Sequence, residues 1–314
     1  MGRLRSSHKT LGFVMAITAA VGWGTFGTFS TFLMDFGLSQ GTVSLISPLF
    51  LLVFFGIFVL VKNGWRVLIP KPRLIPVVLL MGVVEAFFSY STVSAYRYLP
   101  FAIVSTIIYC NLFLLLIFSR IIFKTAITVQ KLIAVVLAVL GIAMVVDAFG
   151  NHPGNSLLGF GWAALAMLCW AVLVICEKYL LEKGVNGNAV PAWEGLLGSI
   201  IISFTVCSPS TAATELVQAF SAHGLIVLLP LLGFGMLTTV FCFWMYIHAL
   251  NRLEPTYVQI AFTLDPTTTC LLGLIVFGQK LAPIQIAGMV VVLAVVIGVQ
   301  LLDRQHENPA IEKQ

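Results

Sequence analysis

Long apolar runs alternate with short polar segments along the chain. Read with a window of about 19 residues, the runs cover residues 11–33, 42–62, 74–96, 101–123, 128–147, 157–181, 190–208, 224–250, 255–277 and 283–302. A helix needs about 20 apolar residues to cross the roughly 30 Å hydrocarbon core of a bilayer. The pattern therefore predicts an all-α membrane protein of ten transmembrane helices, numbered 1 to 10, with polar cytoplasmic segments at 1–10 and 303–314.

The composition excludes a water-soluble fold. Of the 314 residues, 60% are hydrophobic and 9% are charged, whereas soluble domains have about 45–50% apolar and 25% charged residues. The six cysteines form no CxxC pair and no cluster with histidine, so neither a metal site nor a cofactor is predicted. The net charge of +5 is spread over the loops. This argues against a nucleic-acid partner and leaves lipid and a small-molecule substrate as the expected partners.

The basic residues indicate how the helices are oriented. With the N-terminus inside, 15 of the 17 Lys and Arg residues fall on the inner side, and only Arg97 and Lys280 fall outside. Short cytoplasmic loops of membrane proteins carry an excess of basic residues. We therefore expect a multi-pass protein of the plasma or inner membrane with both termini in the cytoplasm.

The two halves of the chain repeat each other. Residues 11–13 read Leu-Gly-Phe and precede Trp23, and the same pattern returns 147 residues later at 158–160 and Trp170. Farther along, equivalent residues are 154 positions apart: Ala95 and Ala249, Leu99 and Leu253, Val104 and Val258, Asn111 and Asp265. The repeat units are five helices each, at 11–147 and 157–302. Because five is odd, the second copy is expected to be inverted in the membrane, as in many alternating-access transporters.

These features resemble the EamA type of the drug/metabolite transporter superfamily. The resemblance rests on the five-plus-five helix repeat, on Trp23-Gly24 in helix 1, and on the Ala-x-x-x-Leu motif at 95–99 and 249–253. It implies an exporter of amino acids, related metabolites or drugs, with helices 1–4 and 6–9 around a central cavity. Helices 5 and 10 are then peripheral and are the candidate contact of a homodimer. The sequence departs from the family at Gly278-Gln279, where a Gly-Glu ending of helix 9 is common.

Three polar residues in the middle of predicted helices are candidate substrate-binding residues. At about 1.5 Å per residue, Glu85 lies about 16 Å into helix 3, and Asn111 and Asp265 lie about 15 Å into helices 4 and 9. An ionisable group at this depth costs about 2.5–3.5 kcal/mol and usually faces a wet cavity. Glu85 and Asp265 are therefore also the candidates for proton coupling. The structural alternatives are a buried hydrogen bond for Glu85, helix–helix contact for Asn111, and support of backbone broken by Pro266 for Asp265.

Aromatic residues inside the predicted spans are the candidate walls of the cavity. They are Trp23, Trp170, Tyr90, Tyr109 and Trp244. An indole or phenol group buried in a span needs a polar partner, which a polar substrate or another side chain can supply.

Other polar residues near helix ends are given structural roles. Glu177 and Glu194 lie near the inner ends of helices 6 and 7, close to Lys178 and Lys183, and are expected to form interfacial salt bridges. His248, one turn after Trp244, is expected to be a hydrogen-bonded structural residue.

The sequence thus favours a secondary active transporter that exports a small metabolite by alternating access. The alternative is a membrane-embedded enzyme that acts on a lipid-linked substrate with Glu85 and Asp265 as acid and base. Residues 22–27 match GxGxxG, but they lie inside a predicted helix with no preceding strand, so a dinucleotide site is not indicated. The sequence has no GxxxxGK[ST] motif, which argues against an ATP-driven pump.

Overall fold

The computed structural model describes residues 2–96, 98, 104, 107–145, 147, 156–277 and 282–307. Within these ranges all regular secondary structure is helical. The apolar helices follow the predicted spans in order and are numbered α1 to α10. Residues named above that lie outside the described ranges are Arg97, Leu99, Gly278, Gln279 and Lys280.

The first half of the chain forms helices α1 to α5. Their bounds are Gly2–Trp23 and Phe26–Asp35 for α1, Gln40–Asn63 for α2, Ile75–Tyr96 for α3, Asn111–Ile122 for α4 and Val129–Val145 for α5. The predicted continuous helix over 11–33 is wrong in one respect, because α1 is broken at Gly24 and Thr25. Glycine weakens a helix, and the Thr25 hydroxyl donates to the carbonyl of Gly22 at 2.6 Å. Such a side-chain bond competes with the helical backbone pattern.

The second half forms helices α6 to α10. Their bounds are Leu157–Glu182 for α6, Ala189–Thr205 for α7, the segments Leu228–Leu232, Gly233–Phe241 and Cys242–Leu250 for α8, Pro255–Phe262 and Leu264–Phe277 for α9, and Pro283–Glu307 for α10. The middle segment of α8 is a π-helix. Helix α10 extends past the predicted end at 302, so the predicted tail is helical as far as Glu307.

One helix was not predicted. The segment Pro209–His223, called the linking helix, joins α7 to α8. Its first turn is stabilised by Ser208, whose hydroxyl accepts from the Thr211 amide at 3.2 Å, and by Pro209 in the first turn, where a missing N–H costs nothing. The Ser39 amide donates to Glu215 Oε2 of the linking helix at 2.8 Å. This contact holds the linking helix against the beginning of α2.

Six of the described helical segments are long and apolar enough to cross a membrane, and four shorter apolar helices accompany them. The long segments are Lys9–Asp35, Gln40–Asn63, Trp65–Thr92, Leu157–Glu182, Pro209–Leu250 and Pro255–Val276. The shorter helices are Ile107–Ile122, Val129–Val145, Ala189–Thr205 and Pro283–Val299. The chain is therefore a multi-pass membrane protein.

Helix packing has the symmetry expected of two related halves. Helix α3 packs along α6, and α1 packs along α8 in the same way. The contact of α3 with α7 corresponds in the same way to that of α8 with α2. The contact of α1 with α9 corresponds to that of α6 with α4. In three further contacts a helix packs on its own equivalent in the other repeat. These contacts are α2 with α7, α4 with α9, and α5 with α10. Exchanging each helix with the one five places along reproduces this pattern of contacts.

Glycines allow two of these helix pairs to approach closely. A methyl group placed on Gly195 of α7 would lie 2.5 Å from the amide nitrogen of Leu52 and 2.7 Å from the carbonyl oxygen of Pro48. On α10, a methyl group on Gly288 would lie 2.6 Å from the amide nitrogen of Val145. Small residues at helix contacts are a main source of packing energy in membranes. The α2–α7 and α5–α10 contacts therefore depend on having no side chain at these positions.

Candidate functional site

Breaks in α1, α4 and α9 meet around Asp265. Helix α1 is interrupted at Gly24 and α9 at Thr263. A helical turn that contains Tyr109, and that we include in α4, is separated from Asn111–Ile122 by the turn at Cys110. The α1 and α9 breaks touch, because a methyl group on Gly24 would lie 3.0 Å from the carbonyl oxygen of Asp265. Interrupted helices at the interface of two repeats are typical of substrate sites in secondary transporters.

Pro266 explains part of this arrangement. Proline has no N–H, so the carbonyl of Phe262 loses its usual partner four residues along the helix. The Tyr109 hydroxyl lies 3.3 Å from that carbonyl and 3.0 Å from Asp265 Oδ2. The single hydroxyl hydrogen of Tyr109 is shared between the two acceptors. Tyr109 therefore supports the broken backbone, which leaves Asp265 free of that role.

Asp265 links three helices through its two oxygens. Oδ2 accepts from Tyr109 of α4, and Oδ1 lies 3.3 Å from the Thr269 hydroxyl. The same Thr269 hydroxyl lies 3.1 Å from the carbonyl of Gly24 in α1. The Asp265 side chain is half-buried, so its neighbours do not enclose it completely.

Trp23 covers one side of this region with aromatic contacts. Its ring centroid lies 4.8 Å from that of Phe262, 5.4 Å from that of Tyr246 and 5.5 Å from that of Phe243. Trp23 is half-buried and belongs to the main core. Trp23 therefore lies against the core, next to the break in its own helix.

Glu177 and Glu194 are not interfacial, so the predicted salt bridges are wrong. Their side chains are 1% and 4% exposed. Glu177 Oε2 accepts a hydrogen bond from the Tyr246 hydroxyl, and the Glu177 and Glu194 carboxyl groups are placed close enough for a hydrogen bond between them when one is protonated. Lys178 points elsewhere, because its Nζ donates to the carbonyls of Leu250 and Leu253 at 2.8 and 3.0 Å. The C-terminal end of α8 needs such donors for its unpaired carbonyls, which explains the direction of Lys178.

Glu85 lies on α3 beside this carboxyl pair. A methyl group on Gly198, one turn after Glu194, would lie 3.8 Å from Glu85 Cγ. The carboxyl group of Glu85 acts electrostatically on both Glu177 and Glu194. Glu85 is half-buried. Three carboxyl groups from α3, α6 and α7 thus lie near one another.

Trp170 occupies the position that the repeat relates to Trp23. Its Nε1 donates to Gln259 Oε1 of α9 at 3.1 Å, and its ring lies 5.0 Å from Phe88 of α3. Trp170 is also two helical turns before Glu177 on α6, on the same face. Trp170 is half-buried, and its indole N–H has the polar partner that burial requires.

Several buried polar atoms have no partner within the described part of the chain. They are both amide atoms of Asn111, Nε2 of Gln259, Oγ1 of Thr267, Oε1 of Glu177 and Oε2 of Glu194, among others. Asn111 is fully buried. An unsatisfied buried polar group costs about 1–3 kcal/mol. Asn111 therefore does not serve as a satisfied helix–helix contact among the described residues, and a bound solute or water could supply the missing hydrogen bonds.

Two predicted cavity residues lie apart from these contacts. Tyr90 is 47% exposed and packs edge-to-face on Trp162, with ring centroids 5.5 Å apart. Trp244 packs against His248 of its own helix at 4.6 Å. The structural role predicted for His248 is confirmed, since its Nδ1 bonds to the Trp244 carbonyl at 2.8 Å.

The sequence analysis missed four residues of the assembled region. They are Glu177 and Glu194 as interior residues, Tyr246 and Gln259. The inward position of Glu177 could have been predicted in part from helical spacing. Glu177 follows Trp170 by seven residues and therefore lies on the same face of α6. No comparable pattern distinguishes Tyr246 from Trp244, since both lie in an apolar run.

A separate cavity of about 170 Å³ lies at the helix ends, on the predicted cytoplasmic side. It is lined by Lys9, Phe123, Thr125, Lys178, Glu182, Arg252, Leu253, Glu254, Pro255 and Tyr257. Next to it, Lys131 Nζ of α5 pairs with Glu254 Oε2 at 2.6 Å. Within the described ranges, no group of three or more His, Cys, Asp or Glu side chains is arranged to hold a metal ion.

The comparisons with known proteins identify the family. The model of the EamA-like transporter family matches the chain twice, at residues 10–147 and 157–301. A solved crystal structure, described only as that of a protein, superposes with a TM-score of 0.71 and covers 94% of this chain and 98% of the other at 16% identity. At that identity the likeness shows the fold alone. No curated protein sequence matches the chain. The chain therefore belongs to the EamA-like transporter family of the drug/metabolite transporter superfamily.

Proposed function

We propose that the protein is a secondary active transporter that exports a small polar or amphipathic metabolite, an amino acid or related compound or a drug. The observation that carries this proposal is the hydrogen-bonded link between Tyr109 of α4 and Asp265 of α9, which are equivalent helices of the two repeats. The break in α1 touches the same place. Breaks and polar groups at a repeat interface suit a substrate that binds there and dissociates again. Family membership favours transport over the enzymatic alternative.

The helix packing supports transport by alternating access. The main contacts between the two halves, α3 with α6 and with α7, and α1 with α8 and with α9, have counterparts under exchange of the repeats. A second arrangement with the roles of the halves exchanged would therefore use contacts of the same kind, and rocking between the two arrangements would open the polar region first to one side and then to the other.

The proposed substrate site is centred on Asp265, Asn111, Trp23, Tyr109 and Trp170. Asp265 and Asn111 offer polar groups, and the aromatic residues supply walls for the apolar part of the solute. Glu85 borders the site and, with Asp265, is a candidate for proton coupling. Tyr90 and Trp244 remain proposed wall residues for a state in which the helices have moved.

The proposal places ten crossings in the plasma or inner membrane with both termini in the cytoplasm. The charge asymmetry of the loops supports this orientation. A homodimer through α5 and α10 is part of the proposal, because the faces of these helices that point away from their mutual contact are apolar and exposed, with Val129 at 73% and Val290 at 62%. A second copy or lipid can cover those faces.

Transport is tested in two steps. Untargeted metabolite profiling of the medium compares cells that overexpress the wild-type chain with cells that express Asp265→Asn, and Glu182→Gln on the exposed end of α6 serves as a matched control. A solute whose concentration in the medium rises only with the wild-type chain and with Glu182→Gln is then tested for counterflow in sealed proteoliposomes. The proposal expects saturable exchange of the unaltered solute. A solute that is chemically changed, or no saturable movement of any solute, would overturn it.

A further inference from the structure

We propose that Glu177 and Glu194 form a carboxyl pair that binds a single proton, and that this proton is the coupling ion of the transport cycle. The proton-binding part stands on the geometry of the pair. The coupling part rests on the transport function proposed above. Neither residue was a candidate site residue from the sequence.

The contact between the two carboxyl groups requires a proton. An ionised carboxylate only accepts hydrogen bonds, so a hydrogen bond between two carboxyl groups needs one of them in the acid form. Glu177 already accepts from the Tyr246 hydroxyl, which favours its ionised form. Glu194 therefore holds the proton and donates it to Glu177.

The burial of the pair excludes two adjacent negative charges. The side chains are 1% and 4% exposed, and two like charges in contact cannot both be ionised without a large cost. In the described part of the chain neither carboxyl group has a cationic partner, since Lys178 pairs with Glu182 at 4.0 Å and with backbone carbonyls. Glu177 Oε1 and Glu194 Oε2 are also without hydrogen-bond donors there. Among the groups that the structure describes, only a shared proton lowers the negative charge of the pair.

The titratable groups around the pair come from three helices. Helix α8 contributes Tyr246, α3 contributes Glu85, and α6 contributes Cys176 and Lys178 beside Glu177. Where α2 approaches α7 at Gly195, it presents the backbone of Pro48 and Leu52. Glu85 is the half-buried member of the group, whereas Tyr246 and Cys176 are buried. We therefore assign Glu85 as the residue through which the proton reaches and leaves the pair.

Proton loss is linked to helix movement by this geometry. When the O–H bond of Glu194 breaks, the proton passes by way of Glu85 to water, the bonding electrons stay on the carboxylate, and the charge of the pair changes from −1 to −2. The doubly charged pair must then separate or take up water. Separation moves α7 relative to α6, and Tyr246 transmits the change to α8. Protonation and the arrangement of three helices of the second repeat are thereby coupled.

Infrared spectroscopy of the purified full-length protein counts the protons directly. The C=O band of protonated carboxyl groups at neutral pH is calibrated per protein with a carboxylic acid standard. The band area lost in the double variant Glu177→Gln/Glu194→Gln relative to wild type should correspond to one carboxyl group. A loss of zero or of two carboxyl groups would overturn the shared proton. Glu182→Gln is the matched control on α6 and should leave the band unchanged.

The single variants keep the test decisive if the double variant does not fold. For one shared proton, the wild-type band persists to a higher pH than the band of either single variant, because each variant lacks the neighbouring carboxyl group that disfavours ionisation. Two independent protons would instead give a wild-type titration equal to the sum of the titrations of the two single variants, which would overturn the shared proton. Gel filtration of each variant in detergent verifies that the compared proteins are folded.

The coupling part is tested in proteoliposomes with an imposed pH gradient, with the solute found by profiling. The double variant should retain counterflow and lose the uptake driven by the gradient. Counterflow together with undiminished gradient-driven uptake would overturn coupling by the pair. Absence of counterflow in the wild-type protein would instead overturn the proposed transport function and leave the infrared result standing, so the two failures are distinguishable.

Discussion

The Tyr109 hydroxyl lies 3.0 Å from Asp265 Oδ2 and joins equivalent helices of the two repeats at the points where both are interrupted. In α9 the interruption comes from local chemistry, because Pro266 removes a backbone donor. Tyr109 also approaches the carbonyl that this proline leaves without a partner. One side chain thus stabilises the break in α9 and positions the carboxylate beside it.

Tyr109→Phe should therefore weaken substrate binding more than it weakens the fold. Loss of the hydroxyl removes one hydrogen bond and should lower the free energy of unfolding by about 1 kcal/mol, while Asp265 loses its fixed orientation. Thermal unfolding and the substrate concentration for half-maximal counterflow measure the two effects. Tyr90→Phe is the matched control, because the Tyr90 ring is 47% exposed and packs on Trp162. Equal effects of both variants on counterflow would contradict the assignment.

Because α2 and α7 are in close contact at Gly195, even a methyl group at this position should disturb their packing. Gly195→Ala would press a methyl group against the backbone of Pro48 and Leu52, and we expect a destabilisation of about 1–3 kcal/mol from overpacking. Gly161→Ala on α6 is the control, since a methyl group there meets no atom within 4 Å. Alanine is the better helix former, so Gly161→Ala should be neutral or slightly stabilising in a thermal unfolding assay. A harmless Gly195→Ala would show that the two helices are farther apart.

Most of the fold could be predicted from the sequence because the bilayer imposes a simple rule on apolar helix length. The bounds of α2, Gln40–Asn63, and of α6, Leu157–Glu182, differ from the predicted runs by one or two residues. The linking helix was missed because it is short and mixed in polarity, although Ser208-Pro209 is a recognisable helix start.

The candidate site was less predictable because hydropathy does not reveal which face of a helix is turned inward. Tyr246 and Trp244 are two residues apart, about 200° around the helix at 3.6 residues per turn, and the structure buries the tyrosine fully. Glu177 was misplaced for a different reason. Its neighbour Lys178 suggested an interface, but Lys178 is directed to the carbonyls of Leu250 and Leu253, which no sequence pattern reveals.

The topology follows from the charge asymmetry and from the odd number of helices in each repeat. Reporter fusions after Gly150 and Lys280 should be external, and fusions after Asn63 and Gln314 should be cytoplasmic. Alkaline phosphatase and green fluorescent protein activities distinguish the two sides. Any exchange of these locations would contradict the inverted repeat as well as the orientation.

Glu85→Gln should uncouple transport while leaving exchange intact. The substitution keeps the shape of the side chain and removes its ability to carry a proton to the buried pair. We expect counterflow to continue, and uphill transport and its pH dependence to disappear. Asp35→Asn is the control at the outer end of α1. Loss of substrate binding in Glu85→Gln would indicate a cation-binding role instead, and unchanged uphill transport with an unchanged pH profile would make Glu85 a structural residue.

Alternating access at Asp265 requires that the region around this residue opens to both sides of the membrane. Asn111→Cys and Asp265→Cys are introduced singly after the six native cysteines have been replaced by alanine, and membrane-impermeant thiol reagents are applied to right-side-out and inside-out vesicles. We predict reaction from both sides, with the ratio of the two rates changed by substrate, and a slower reaction in its presence for Asn111→Cys. Reaction from one side only, or complete inertness of both positions in a protein that still transports, would contradict alternating access at this site.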